Sequence, residues 1–549
     1  MSYVDNNLKK ADKFYKLKEF DKANDFYNLI LSKFPKNQRA LKGINLIKNL
    51  KSNSNSCSDN ELYYLRELLS LYDQKKYLEI IDKLDYFISK VKLKKHFIYN
   101  LVGVIYFNMG KSLNAVTNLK RSIRLYPENH EAYFNLGNVL GKKNKLSLAI
   151  KMYRKAIGIK PNYDKACNNL GIALKKDGQL IESINVLKNT IKINPKYFSP
   201  YNNLGKIYFE IGNYKNSINN FKKCIEIYTN SHLDLLHLNL NDNLQRYPLL
   251  SEMLTNLSIS ELANGDFIKG WKNYRARHKC YNPLKIKNNT LIKTEQGLGD
   301  QILFSRFLRG LDFKNNNYYF PVDKKLRKIF STSFPLIKFI SHDEKPNVDS
   351  SFFLGDLAEN FIKKYQDLSI WNRKYLNACD DTTEMYRKRH SKNKIKCGIS
   401  WLSKPTNEKS SKDYYTEIKN KMSINLLELK EILEVSNIEF IDLQYTNTKN
   451  ERDYLSNNFN IRIKKYDDID NYNDIHKLSC LIQSCDIILT IPNITAHLAG
   501  SLGKKTYLIL PKQNGIFWYW KVHNDKFIWY DSFKQFNKNQ FIRKYASKN

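Results

Sequence analysis

The chain has 549 residues, 42% of them hydrophobic, with a formal net charge of +37, which is room for about three compact units. Its eight scattered cysteines contain no C-x-x-C pair, its N-terminus is charged, and no apolar run reaches membrane-spanning length. These features exclude a disulfide framework, a zinc ribbon, a signal peptide and a transmembrane segment, so a reducing, cytoplasmic setting is expected. The charge favours anionic partners, yet lysine is spread along the chain, no single basic stripe stands out and no nucleic-acid motif accompanies it; no nucleic-acid partner is expected.

Residues 1–229 read as an all-α tetratricopeptide solenoid. Gly103, Gly137, Gly171 and Gly205 recur every 34 residues, each after Val or Leu. Small residues keep the register at Ala115, Ala149, Ser183 and Ser217, and prolines at Pro127, Pro161 and Pro195. That is the two-helix repeat with a small residue at the closest approach. An earlier copy lies at Ala11, Ala23, Tyr27 and Pro35, and the pattern is degenerate between 38 and 95. Asn135, Asn169 and Asn203 share one position on the first helix of each pair, which lines the concave groove. Two readings stand: their amides hold a peptide backbone, or asparagine is simply common before Leu-Gly in this repeat.

Residues 230–288 read as a terminal helical pair, Ser251 to Ala263 and Asp266 to Arg277, with a linker. From 289 onward, apolar runs of strand length alternate with helical patterns, as in parallel sheets with right-handed crossovers. Strands are expected at 291–293, 318–322, 336–340, 352–354, 397–401, 438–444, 461–465, 486–491 and 506–510. A polar stretch at 380–396 divides the series into two Rossmann-like lobes, 289–390 and 391–549. Ligands of such sheets bind beyond the carboxyl ends of the strands.

Four segments fall at such ends. Glu295-Gln296-Gly297-Leu298-Gly299-Asp300 is a two-glycine turn before a helical pattern at 301–311, where backbone N–H groups favour an anion. Ser400-Trp401-Leu402-Ser403-Lys404 and Gln444-Tyr445 follow two strands of the second lobe. Pro492-Asn493-Ile494-Thr495-Ala496-His497 runs from a strand into a helix that Thr495 is placed to cap, with Lys404 or Lys421 adding positive charge for a diphosphate. Asp300 reads either as a helix N-cap or as a proton acceptor, and His497 either as packing or as a ligand contact. Asp468-Ile469-Asp470 has the form of a metal-binding Asp-x-Asp but sits in an acidic loop. Trp518, Tyr519, Trp520, Trp529 and Tyr530 read as packing.

These strings, in this order and together with the repeats, resemble bacterial tetratricopeptide proteins carrying a glycosyltransferase domain. That domain is similar to glycosyltransferase family 9, the heptosyltransferases, and more distantly to the O-linked N-acetylglucosamine transferases. The resemblance implies a GT-B fold, a nucleotide-sugar donor held mainly by the second lobe, and neither metal nor cofactor. It implies Asp300 as catalytic base. It places Lys404, Thr495 and His497 at the donor; Gln296, Gly297, Gly299, Ser400, Trp401, Ser403, Gln444, Tyr445 and Asn493, in the same strand-end segments, are the further donor-binding candidates. The sequence departs from the family at Pro492-Asn493, where Asp-Thr is usual, and at a charged insertion, 405–420. A glycosyltransferase with a protein or glycan acceptor is therefore expected; the alternative is an inactive scaffold that binds proteins.

Overall fold

The computed structural model describes the chain except residues 1–2, 17–18, 36, 45–58, 233–243, 245, 279–283, 296, 365–369, 371, 404–422, 511–516, 524–525 and 547–549. It divides into two compact units, residues 1–186 and 187–549. Among the described residues no helix is long and apolar enough to cross a membrane.

The first unit is a stack of antiparallel helical pairs, among them Lys95–Asn108 with Ser112–Leu125 and His130–Lys142 with Leu146–Ile159. The repeat signature has a steric cause: a Cβ on Gly137 would lie 2.6 Å from the Tyr153 ring of the partner helix. Ala115, Ala149 and Ser183 are fully buried where the helices cross. The Ser183 hydroxyl donates to the Gly171 carbonyl at 2.6 Å, which satisfies a polar group that burial would otherwise penalise. Asn129 caps helix His130–Lys142 by accepting from Ala132 N at 3.1 Å.

The second unit opens with the last repeats, and its helical stack continues into Pro248–Asn264. The Ser217 and Ser260 hydroxyls meet at 2.9 Å, and Ile218, Phe221 and Leu257 share one core. The following helix, Phe267–Tyr274, ends in a 3-10 turn at Arg275–His278. Its Trp271 is sunk in the α/β core, edge-on to Phe304, Phe307 and Trp518 at 5.3–5.5 Å. Rings in this arrangement gain attraction beyond the area they bury.

Two parallel sheets follow. β1 (Asn289–Lys293), β2 (Asn317–Pro321), β3 (Lys338–Ile340) and β4 (Ser350–Phe353) are ordered β3-β2-β1-β4. β5 (Ile395–Ser400), β6 (Ile438–Asp442), β7 (Ile463–Lys464), β8 (Ile487–Thr490), β9 (Thr506–Leu508) and a later β12 (Phe533–Gln535) are ordered β12-β9-β8-β5-β6-β7. β10 (Val522–His523) and β11 (Lys526–Phe527) form a separate antiparallel pair. Every residue of β8 is buried, as expected of a central strand covered on both faces.

All nine expected strands are present, most of them shorter than read. Strands β10 and β11 lie inside the aromatic segment, residues 518–530, that the sequence reading assigned to packing, and β12 lies just beyond it. That segment also packs: Trp518, Tyr519, Trp520, Trp529 and Tyr530 are buried. The helical segment between β5 and β6 includes a 3-10 turn, Leu426–Leu429, followed by one α-turn, Lys430–Leu433.

Gly500 lies where helix Ile494–Ser501 crosses the Tyr530 ring, and a Cβ there would stand 2.2 Å from Tyr530 Cδ1. Gly500→Ala is expected to destabilise this unit by about 1–3 kcal/mol, the usual range for overpacking. A lowered denaturant midpoint would show it; an unchanged midpoint would mean the ring moves aside freely.

Candidate functional site

The site is built from strand ends. After β1 the chain turns at Gly297, which stands as the N-cap of helix Leu298–Ser305. Gly299 and Asp300 are therefore inside the helix's first turn, not ahead of a helix starting at Gln301, because the extended backbone of Gly297 lets the helix start earlier. The half-buried Asp300 folds back over the turn, with Oδ2 only 3.1 Å from where a Cβ on Gly297 would be.

Glu295, just before the turn, is held from three sides. Its Oε1 accepts from Arg277 Nη2 at 2.6 Å and from Gly355 N at 2.8 Å, and His278 Nε2 lies 3.5 Å from Oε2. Arg277 also reaches Asp356 Oδ1 at 3.1 Å and lies over the Tyr274 ring at 4.2 Å. Burial alone would raise the Glu295 carboxyl pKa; the Arg277 charge and these hydrogen bonds outweigh it and bring it down to about 2. Gln301 is buried too, and its Nε2 donates to the Glu295 carbonyl at 3.0 Å.

Across the second sheet, three of the sequence-identified segments join in one hydrogen-bonded row. Asn493 Nδ2 donates to Ser400 Oγ at 2.8 Å, and Ser400 Oγ donates to Gln444 Oε1 at 3.0 Å. That oxygen also accepts from Trp401 N and Leu402 N. The row ties the carboxyl ends of β8, β5 and β6 together. Trp401 is buried, with its indole N–H on Glu451 at 3.0 Å. Ser403 N donates to Ser423 Oγ at 2.9 Å, and Tyr445 is half-buried. Gln296, Lys404 and Lys421 lie outside the described residues.

The cap of helix Ile494–Ser501 is Asn493, whose side chain accepts from Ala496 N at 3.1 Å. The expectation that Thr495 caps it is wrong: Thr495 is already the second residue of the helix, and its buried hydroxyl has no hydrogen-bond partner among the described residues. Asn493 is extended, as a cap must be. His497 is buried, with Nδ1 2.9 Å from the Tyr530 hydroxyl and its ring against Trp520 and Tyr519. Burial, then the nearby Arg306 charge, lower its pKa to about 3, so it is a neutral imidazole at physiological pH.

The two helices meet at their first turns. A Cβ on Gly299 would lie 2.9 Å from His497 Cδ2, so only a bare backbone fits there. Two eight-residue helices, each following a strand of a different parallel sheet, thus bring their N-termini together with Asp300 at the junction. Convergent helix starts favour an anion.

Sequence reading missed the groups that brace this junction. Arg306 is buried, donates to the Trp529 carbonyl at 2.6 Å and lies over the Tyr375 and Tyr530 rings at 4.9 and 4.8 Å. At the end of β6, buried Asp442 is contacted by Arg452 at 3.2 Å and Lys465 at 3.6 Å, and Lys465 also reaches the Gln444 carbonyl. No local string marks these residues, because their partners are distant in sequence. Asp468 is paired with Arg389 at 2.7 Å and Asp470 closes its own turn onto Asn473, so this Asp-x-Asp is braced loop.

In the repeats, Asn135 Nδ2 donates to Asn100 Oδ1 at 3.0 Å and Asn169 Nδ2 to Asn138 Oδ1 at 2.8 Å. Asn203, in the other unit, is half-buried on helix Phe198–Glu210.

Comparison with known proteins identifies tetratricopeptide repeats in the N-terminal half. Tetratricopeptide repeat models match residues 98–129, 130–163 and 198–231, and a TPR repeat model matches 176–212. Protein FlbA of Caulobacter vibrioides is 22% identical over 273 residues, 46% of this chain and 43% of FlbA. The chain thus spans under half the length of that relative. Among solved structures, MamA from Desulfovibrio magneticus RS-1 is 20% identical, covering 32% of this chain and 99% of its own, with a TM-score of 0.29. The first TPR of Spaghetti (RPAP3), bound to an HSP90 peptide, is 23% identical over 21% of this chain and 93% of its own, with a TM-score of 0.21.

Proposed function

We propose that residues 289–549 form a GT-B-type glycosyltransferase, of the metal-independent kind the resemblance implies, and that the repeats bring it a protein or glycan acceptor. The observation that carries this reading is the meeting of two helix N-termini from two parallel sheets, with Asp300 at the junction. In this reading Asp300 takes the proton of the acceptor hydroxyl as that oxygen attacks the anomeric carbon. The bond to the diphosphate breaks, the nucleotide leaves with the electron pair, and the N–H groups of helix Ile494–Ser501 stabilise its charge. The Asn493–Ser400–Gln444 row keeps the strand ends in place around the donor. Neutral His497 contributes shape and a hydrogen bond, not charge. The paired asparagines of the first helices, Asn100 with Asn135 and Asn138 with Asn169, offer amides to an extended peptide without reading its side chains.

The test is a panel of nucleotide-sugars scored by thermal shift. A ligand that binds only the folded state stabilises it by mass action, by about 2.7 kcal/mol at a hundredfold excess over Kd. A shift with one nucleotide class is expected; no shift with any donor at millimolar concentration would sink the enzyme reading. The second reading, a protein-binding scaffold without catalysis, is favoured by Pro492-Asn493, where Pro492 stands in place of the resembled family's carboxylate and the neutral Asn493 amide beside it is committed to capping.

A further inference from the structure

We infer that Cys379 and Cys480 form a reversible oxidation site, in which Cys379 reacts with a hydroperoxide and Cys480 closes a disulfide onto it. Cys379 is the N-cap of helix Asp380–Arg389, the last helix before β5. The chain reaches it from a pinned segment, with Asn377 N donating to Ser333 Oγ at 2.9 Å. On the other side the Cys379 carbonyl accepts from Thr383 N at 3.0 Å and from Thr383 Oγ1 at 2.7 Å. Cys480 lies on helix Ile475–Ser484, which packs directly on helix Asp380–Arg389. Its thiol is buried against the Cys379 amide and the Thr383 hydroxyl. Two of the three staggered χ1 positions place a cysteine's sulfur beside its own amide. The two sulfurs are therefore within a side-chain rotation of one another, the reach that a disulfide demands.

The two thiols are unequal, as an attacking and a resolving cysteine must be. Cys379 is half-buried, within reach of a small oxidant, while Cys480 stands behind it in the core. The Thr382 amide, then the Thr382 hydroxyl at 3.6 Å, hold the Cys379 thiol below its usual value against burial and the Asp381 charge. Thiols at helix N-termini gain reactive thiolate in this way. Burial pushes the other described cysteines, Cys167, Cys224, Cys397, Cys480 and Cys485, upward instead. Cys397 and Cys485 supply the contrast within the same unit. They also lie near one another, but both are sealed in the core and neither is held as thiolate.

The chemistry balances with a hydroperoxide as the oxidant. The Cys379 thiolate attacks one peroxide oxygen, the O–O bond breaks, and the other oxygen leaves with the electron pair and takes a proton. Cys480 then attacks the sulfur of the sulfenic acid, the S–O bond breaks, and water leaves with the Cys480 proton. With hydrogen peroxide, two thiols become one disulfide and the peroxide becomes two waters. A reducing thiol pool reverses the bond by exchange. The bond closes a loop of about 100 residues. It ties the helix between the two sheets to one that shares a core with Ile329 and Phe330 of helix Lys324–Ser333.

The experiment treats the full, reduced chain with hydrogen peroxide, alkylates the remaining thiols and maps the peptides without reductant. A Cys379–Cys480 linkage that dithiothreitol reverses is expected, with a melting temperature that rises on oxidation. Cys379→Ser should show neither the linkage nor the rise. Cys480→Ala should stop at the sulfenic acid, captured by dimedone at Cys379. The proposal is overturned if peroxide forms no Cys379–Cys480 linkage, if Cys397 and Cys485 cross-link as readily, or if dimedone leaves Cys379 unlabelled in the Cys480→Ala chain.

Discussion

Glu295→Ala is expected to lower the unfolding free energy of the second unit by about 3–5 kcal/mol, the cost of breaking a buried ion pair from one side. The alanine leaves Arg277 facing Asp356 alone and leaves the Gly355 N–H without its acceptor. All six tryptophans lie between 271 and 529, so tryptophan fluorescence in denaturant reports this unit without the first. The pH dependence follows from the same contacts. The carboxyl protonates at its ordinary value of 4.5 when unfolded and at about 2 when folded, so the unfolded state binds the proton first as acid is added. The stabilisation is complete above the unfolded value and is lost as pH falls from there towards 2, about 3 kcal/mol in all. Glu295→Gln should flatten that acid limb. An unchanged midpoint and an unchanged acid limb would show that the Arg277 contacts contribute nothing net.

The second large effect concerns Asp300. With the donor identified by thermal shift, Asp300→Asn should cut transfer by about 10²–10⁴-fold, the range for losing a general base. The donor-induced shift should be preserved. Asparagine keeps the side-chain shape at the first turn of helix Leu298–Ser305 but has no basic oxygen. A merely structural Asp300 would give the opposite pattern, with transfer retained and stability reduced. Transfer within a few-fold of the parent would remove Asp300 as the base.

Much of this architecture was legible in the chain. A 34-residue period in glycine and small residues is a direct record of where two helices touch, so the repeats were readable. Runs such as Ile487–Thr490 are apolar throughout because their strand is covered on both faces, so the parallel sheets were readable too. The site was readable as parts: Ser400, Gln444 and Asn493 were each placed at strand ends, and they do meet. What was not readable was their use of one another, since the partner of each lies dozens of residues away. The same reason hid Arg277 behind Glu295 and Arg306 behind Trp529. The cap was misassigned to Thr495 because asparagine and threonine both suit a helix start, and only backbone geometry tells them apart.

The sequence Leu-Gly-Asp occurs twice, at 298–300 and 354–356, each just beyond one of the neighbouring strands β1 and β4. The second copy's aspartate is engaged by Arg277, and so is Glu295 beside the first. Arg277 belongs to the helical pair that precedes the sheets, as does Trp271, whose ring fills their core. A fragment excised at residue 289 would therefore carry both strands but lack the side chains that hold their ends. For expression or crystallisation of the α/β part, the defensible cut lies at the unit boundary near residue 187, since helix Pro248–Asn264 itself shares a core with Ile218 and Phe221.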